Sequence, residues 1–474
     1  MELKELDIEL RQAISSEMAW EYRMVPKTDH SSSLEVYSDT LGDKTDTLRE
    51  VEFLLGKTVE VHTVSQDELM VMLSTNYGRD NAQNGAEIMN YSEDFLVRLV
   101  QEADQLGSSD IHIEVYEHRA RVRMRVDGHL LERHALELRD YPALINKIKV
   151  QSKLDISEKR RPQDGRIAMD IGIETIDLRV SIIPTLYGEK SVLRLLQRDA
   201  SEVRLDKIGL AGNQMTIYME GIQKPQGIVL ISGPTGSGKT TTLYASLRHL
   251  NQTERNVITV EDPIEYTLEG INQLQLNEAI GLTFAKALRA FLRQDPDVIM
   301  LGEIRDKETA EMAVRASLTG HLVFSTIHTQ SAWGTIDRLM DMGVPSYMIS
   351  STLNLSVAQR LVRKLCNNCK QEVSIDEVQL PSELSSKNFG TNKVQVAKGC
   401  PSCFHTGYKG RAALFEIIPI NESLRAVIRE KERPEISQLK EFGFKSLKDQ
   451  AIELVSNGTT SVEETFGILS VNSF

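Results

Sequence analysis

The stretch GPTGSGKTTTLYASL, residues 233–247, decides the fold. It follows the apolar run GIVLIS and opens a helical pattern, and Gly233–Thr240 fits the spacing G-x-x-x-x-G-K-[ST]. Glycines at 233, 236 and 238 let the backbone curl so that successive N–H groups point inward. The helix N-terminus adds about half a positive charge. Strand, turn and helix together form an anion cradle. Its candidate contacts to a nucleotide are Gly233, Pro234, Thr235, Gly236, Ser237, Gly238, Lys239, Thr240 and Thr241. Lys239 is expected against the β- and γ-phosphates of ATP, and the Thr240 hydroxyl on Mg2+.

Working outward, strand-like runs NVITVED and DVIMLGE alternate with helical segments, which predicts a mostly parallel α/β sheet. Hydrolysis needs a carboxylate that orients water near the γ-phosphate, and DVIMLGEIRD supplies one. Val298–Leu301 reads as a buried strand, and Glu303 emerges beyond its C-terminal end, where open α/β sheets place ligands. The residue before it is Gly302, where a typical phosphate-loop enzyme has a metal-binding Asp. The acids expected near Mg2+, through water, are therefore Glu261, Asp262 and Glu265 of VITVEDPIEY. TGHLVFSTIHT sets His321 and His328 on either side of a short apolar strand, as candidate sensors of the γ-phosphate or as packing residues.

All four cysteines fall into two C-x-x-C turns, Cys366/Cys369 and Cys400/Cys403. Each turn brings two thiolates to one ion, and two turns complete a tetrahedral Zn2+ site without an open position, which predicts a structural role. The chain has 474 residues, too many for one core. Its net charge of −13 argues against a surface that tracks nucleic acid. No apolar run reaches the roughly 20 residues of a membrane span, and the start MELKELDIELRQAISSE is charged where a secretory signal is apolar, so a cytoplasmic protein is expected.

Pattern shifts divide the chain into a small N-terminal docking domain at 1–78, a linker at 79–92, an α+β domain at 93–198, a hinge at 199–206 and the phosphate-loop domain at 207–474. A zinc insertion is expected at about 364–408. In the second domain, Arg121, Arg123 and Arg125 share one strand face, read either as a solvated face or as a surface for a partner.

The text SSDIHIEVYE, EKRRPQDGRIAM, LRVSIIPTLYGEKSVLRLL, ITVEDPIEY, LRQDPDVIMLGEIRD, TGHLVFSTIHT and RLMDMGVPSYMI, with the phosphate loop and the tetracysteine insertion, resembles the secretion-superfamily ATPases of type II secretion and type IV pilus assembly, the GspE and PilB type. The resemblance spans residues 93 to about 470. It implies a RecA-like phosphate-loop core preceded by an α+β, PAS-like domain, and a homo-hexameric, Mg2+-dependent ATPase peripheral to the inner membrane. It also implies an inner-membrane platform protein and a membrane-anchored adaptor as partners, with no direct nucleic acid. Arg166 and Arg179 match arginines that the family's middle domain sends toward nucleotide, and Arg289 and Arg293 precede the Glu303 strand. A planar guanidinium suits that task because it neutralises spreading phosphoryl charge bidentately. The alternative from another class is a ring ATPase acting on nucleic acid, for DNA uptake or as a helicase-like motor.

Overall fold

The computed structural model describes residues 22–30, 33–39, 45–76, 87–88, 94–171, 175–196, 204–210, 212–382 and 384–470, with a few positions between 6 and 19. Most of the linker expected at 79–92 and the first part of the hinge at 199–206 lie outside these residues. Two compact units emerge, one of residues 1–165 and 180–193, the other of 166–179 and 194–474.

The first unit begins with a three-stranded sheet, β1 (Met24–Asp29), β2 (Ser33–Ser38) and β3 (Thr58–Thr63), in that order. β2 alternates in burial, as a half-buried strand must, and Leu34 and Val36 join Val51, Leu69 and Leu73 in a small core. The module is α/β.

A seven-stranded sheet follows, built from β4 (Glu87–Ile88), β5 (Asp110–Val115), β6 (Ala120–Val126), β7 (His129–Leu136), β8 (Gln163–Asp170), β9 (Thr175–Thr185) and β10 (Gly188–Leu196) in the order β4-β7-β6-β5-β10-β9-β8; residues 166–170, 175–179 and 194–196 of its last three strands fall in the second unit. The arginine face of β6 is half-buried and engaged in ion pairs across the sheet. Register sets Arg121 opposite Glu114, and Glu114 accepts from Arg121 at 3.0 Å, from Arg123 at 2.7 and 2.8 Å and from Lys190 at 2.9 Å. Burial alone would raise the Glu114 pKa, but the hydrogen bonds from Arg123 and Lys190 hold it down at about 2. The arginines tie strands together.

In the second unit, the large sheet comprises β11 (Gly227–Ser232), β12 (Val257–Glu261), β13 (Asn272–Gln275), β14 (Val298–Leu301), β15 (Leu322–Ile327), β16 (Leu353–Leu365) and β19 (Tyr408–Pro419). Strand order is β13-β12-β14-β15-β11-β16-β19, parallel throughout except for the final antiparallel β16/β19 pair. Every residue of β11, β14 and β15 is buried. Alternation explains those unbroken apolar runs: Ile228 and Leu230 enter one core while Val229 and Ile231 enter the core on the opposite face. β11 sits between β15 and β16, so its C-terminal end opens among strands on both sides. β17 (Gln371–Ser374) and β18 (Lys393–Val396) form a separate hairpin-like pair between β16 and β19.

One buried carboxyl ties this sheet to two helices. Glu416 of β19 is fully buried and accepts from the N–H of Ala332 at 2.7 Å and of Leu447 at 3.3 Å, the first residues of helices Ala332–Asp341 and Leu447–Ser456. Burial pushes its pKa up to about 7, against the amide hydrogen bonds, which pull it down. Because the folded form holds its proton more tightly than the unfolded chain, this stability is fully present below about pH 4.5 and is lost as pH rises through about 7. Glu416→Gln should therefore flatten the fall in unfolding midpoint between pH 5 and 8, an effect of up to about 3 kcal/mol, measurable by guanidinium titration of both proteins at several pH values. An unchanged slope in the variant counts against the assignment.

Candidate functional site

β11 ends at Ser232 and α1 (Lys239–Leu250) begins seven residues on, with the phosphate-loop sequence between them. Gly233, Gly236 and Gly238 take φ of +146°, +80° and +87°, a region that side chains rarely adopt. Space is equally restrictive: a Cβ on Gly233 would lie 2.5 Å from the Gln359 carbonyl oxygen and 2.6 Å from Ser237 Oγ. Pro234, Thr235, Gly236 and Thr241 are exposed, whereas Ser237 is buried and its hydroxyl has no hydrogen-bond partner. An orphaned hydroxyl inside an amide-lined loop fits a ligand rich in acceptor oxygens. Lys239 Nζ donates to the Gly233 and Pro234 carbonyls at 2.8 and 2.9 Å, folding the cation over the loop. Burial lowers its pKa, nearby Glu303 raises it and nearby Arg360 lowers it again.

Glu303 stands two residues past β14, with its side chain 14% exposed. Its two oxygens point to different partners, Arg305 at 2.6 Å and the His328 Nε2 at 3.4 Å. His328 follows β15 directly, and β15 runs parallel to β11 with Ile327 beside Ser232, so the histidine emerges at the same sheet end as the phosphate loop. His321 does not. It precedes β15, about 20 Å away along six residues of strand, and its Nδ1 lies 2.9 Å from the Ala316 carbonyl. Within one chain the structure separates the two histidines, and only His328 reaches Glu303.

The acids after β12 divide similarly. Glu261 is buried, and its oxygens are taken up by Tyr244 on one side and by Thr259 at 2.6 Å and Gln273 at 3.1 Å on the other. Such a carboxylate braces the phosphate-loop helix against β12 and has little capacity left for hydrated Mg2+. Asp262 is exposed and Glu265 half-buried, which leaves these two open to water. Glu265 lies 3.9 Å from Arg179, whose guanidinium also donates to the Ile264 carbonyl. Arg179 Nε is buried without a partner, and burial lowers the pKa of the group. Arg166 is exposed. Arg289 and Arg293 are also exposed; Arg289 pairs with Glu308 of the helix Lys307–Leu318 at 2.5 Å, and Arg293 donates to the Arg289 carbonyl at 2.8 Å.

The cysteines meet as a cluster. All four sulfurs lie within 4.8 Å of one another, with Cys366–Cys400 at 3.9 Å, Cys369–Cys403 at 3.8 Å and Cys400–Cys403 at 3.7 Å. A tetrahedron with Zn–S bonds of about 2.3 Å has edges of about 3.8 Å. The donor set can hold a metal ion.

Residues that sequence reasoning passed over complete the site. Arg305 was legible in GEIRD, two positions after Glu303. Tyr244 sits mid-helix, where an aromatic reads as core. Gln359 and Arg360 of β16 reach the loop from more than a hundred positions away, and nothing local marks them.

The family model described as "Type II/IV secretion system protein" matches residues 86–467. "Type II secretion system protein E" of Pseudomonas aeruginosa is 45% identical over 397 residues, covering 82% of this chain and 78% of its own length. "Type IV pilus assembly ATPase PilB" of the same organism is 39% identical over 484 residues, covering 96% and 85%. Among solved structures, the pilus retraction motor PilT with bound ADP superposes with a TM-score of 0.54 at 27% identity, covering 78% of this chain and 96% of that one. A matching motif set, a RecA-like sheet with its phosphate loop at the strand ends, and relatives at this identity matched over most of their length place the chain in the type II/IV secretion system protein family, among its ATPases.

Proposed function

We propose that this chain hydrolyses ATP at residues 233–241 and Glu303, and that the cycle drives assembly of a pilus or secretion pseudopilus. The observation that carries the reading is geometric: the phosphate loop leaves the C-terminal end of β11, and Glu303, half of a carboxylate–histidine pair with His328, emerges past the C-terminal end of β14 in the same parallel sheet. Loop amides and Lys239 bind and orient the phosphates. Glu303 orients the attacking water and takes up its proton, with His328 at 3.4 Å positioned to register loss of the γ-phosphate. Mg2+, when bound, supplies charge neutralisation across the phosphate oxygens; Thr240 would hold it directly, and Asp262 and Glu265 through water. The three hydrogen bonds that Glu261 already accepts favour a bracing role for that residue. Zn2+ would occupy the four cysteines and stabilise the β17/β18 module.

The orphaned Nε of Arg179 and its desolvation support a role toward the triphosphate, with Arg166 alongside. Arg179→Gln should lower kcat by about 10²-fold or more in a phosphate-release assay, while Arg289→Gln, whose partner is Glu308, should cost far less. Equal losses in the two variants would remove Arg179 from this role.

The relatives' names favour this reading over a nucleic-acid motor. A homo-hexamer working at the cytoplasmic face of the inner membrane, on a platform protein and through an adaptor, follows from the family. Among the described residues no helix is long and apolar enough to cross a membrane, which suits attachment through protein partners. Light scattering on the purified protein with Mg2+ and a non-hydrolysable nucleotide tests the ring: a mass near six chains supports it, and a persistent monomer opposes it.

A further inference from the structure

Gln359 of β16 touches the phosphate loop at three separate points. Its carbonyl oxygen lies where a Cβ on Gly233 would come within 2.5 Å, its Nε2 where a Cβ on Gly238 would come within 2.8 Å, and its Oε1 accepts from the Thr242 hydroxyl at 2.9 Å. These contacts fall at the first residue of the loop, at its last glycine and in the first turn of α1. Thr242 is fully buried and Gln359 is 2% exposed, so water does not compete for the bond. The strand itself is held in place: Ala358 pairs with Ser232 of β11, and the Arg360 guanidinium donates to the Gln359 carbonyl at 3.0 Å and to the Gln330 carbonyl at 2.9 Å.

An amide nest binds phosphate well only when its N–H groups are aimed before the ligand arrives, because reorientation on binding costs affinity. The three glycines of this loop bring no side chains of their own to fix its shape, and Lys239 ties only its first two carbonyls. A floor that contacts both ends of the curl removes that freedom. From these contacts we infer that Gln359 is a positioning residue for nucleotide binding, holding the two ends of the loop at the spacing that the phosphates require. It touches no substrate and acts through Gly233, Gly238 and Thr242. The inference rests on residues 233–241 being the nucleotide site.

The test is calorimetric binding of the magnesium complex of AMPPNP to the full-length, zinc-loaded protein, with KM and kcat for MgATP measured beside it. Gln359→Met, of similar volume, should raise Kd and KM about tenfold, the worth of a buried hydrogen bond, while kcat stays within about threefold. Thr242→Val removes the same hydrogen bond and should act alike; Thr242→Ser, which keeps the hydroxyl, should recover most of the affinity. The double variant Gln359→Met/Thr242→Val should be no weaker than either single one. A Kd within twofold of wild type in folded Gln359→Met, or additive losses in the double variant, overturns the inference. Should Gln359→Met fail to fold, Thr242→Val decides alone by the same criterion. Lys239→Ala separates the two levels: if it binds AMPPNP as wild type does, the nucleotide site itself has been misplaced, whereas a binding defect there beside normal Gln359→Met refutes only the role of Gln359.

Discussion

Glu303→Gln should bind MgATP about as tightly as wild type and turn it over at least about 10³-fold more slowly. The substitution keeps volume and the hydrogen-bonding outline but removes the carboxylate that accepts a proton from water. Removing the negative charge also frees Arg305, at 2.6 Å, and His328, at 3.4 Å, from their shared anion, so ground-state binding of a polyanion should hold or improve. A kcat loss with unchanged KM is the signature of an interaction made in the transition state. Phosphate release and nucleotide binding measured on one preparation check both halves. Normal turnover would remove Glu303 from catalysis, and lost binding would make its role structural.

The second large effect concerns the cysteines. Zinc stripping by a strong chelator, or Cys366→Ser, should lower the melting temperature of the phosphate-loop domain by about 10 °C or more. Structural zinc contributes its binding energy directly to folding, and the cluster closes the chain where β16 ends and β19 begins: Cys366 follows Leu365, and its N–H is bonded to Gly407 at 2.8 Å. The segment between them carries little regular structure, a two-stranded β17/β18 pair and short turns such as Ser386–Phe389, and it lends Ile375, Phe389 and Val394 to the main core. Small units of that size need a staple. Elemental analysis should find one zinc per chain. A metal-free protein with an unchanged melting curve would reduce the cluster to four free thiols.

How much of this was legible depended on the sequence distance over which each interaction acts. The phosphate loop and Glu303 are local features, each set just beyond the end of a strand, so spacing and apolar runs were enough to place them in the sheet. The paired C-x-x-C turns were equally legible, because each turn fixes two ligands by itself. His321 and His328 look alike in sequence, flanking one apolar run, but a strand has two ends and only one faces the loop. The β6 arginines suggested an exposed basic face because Glu114, across the hairpin, was not counted against them. Glu261 shared the acidic turn with Asp262, yet the pleat points it inward toward Tyr244 while its neighbour faces solvent. Gln359 and Arg360 were invisible for a simpler reason: parallel pairing of β11 with β16 brings them under the loop, and that pairing is a property of the folded sheet alone.

The most direct test of the central claim is a calorimetric titration of MgATP into the zinc-loaded protein. Saturable heat with a dissociation constant in the micromolar range, abolished by Lys239→Ala, is the predicted result. Absence of any binding heat at millimolar MgATP, from protein that is folded and carries its zinc, would contradict it.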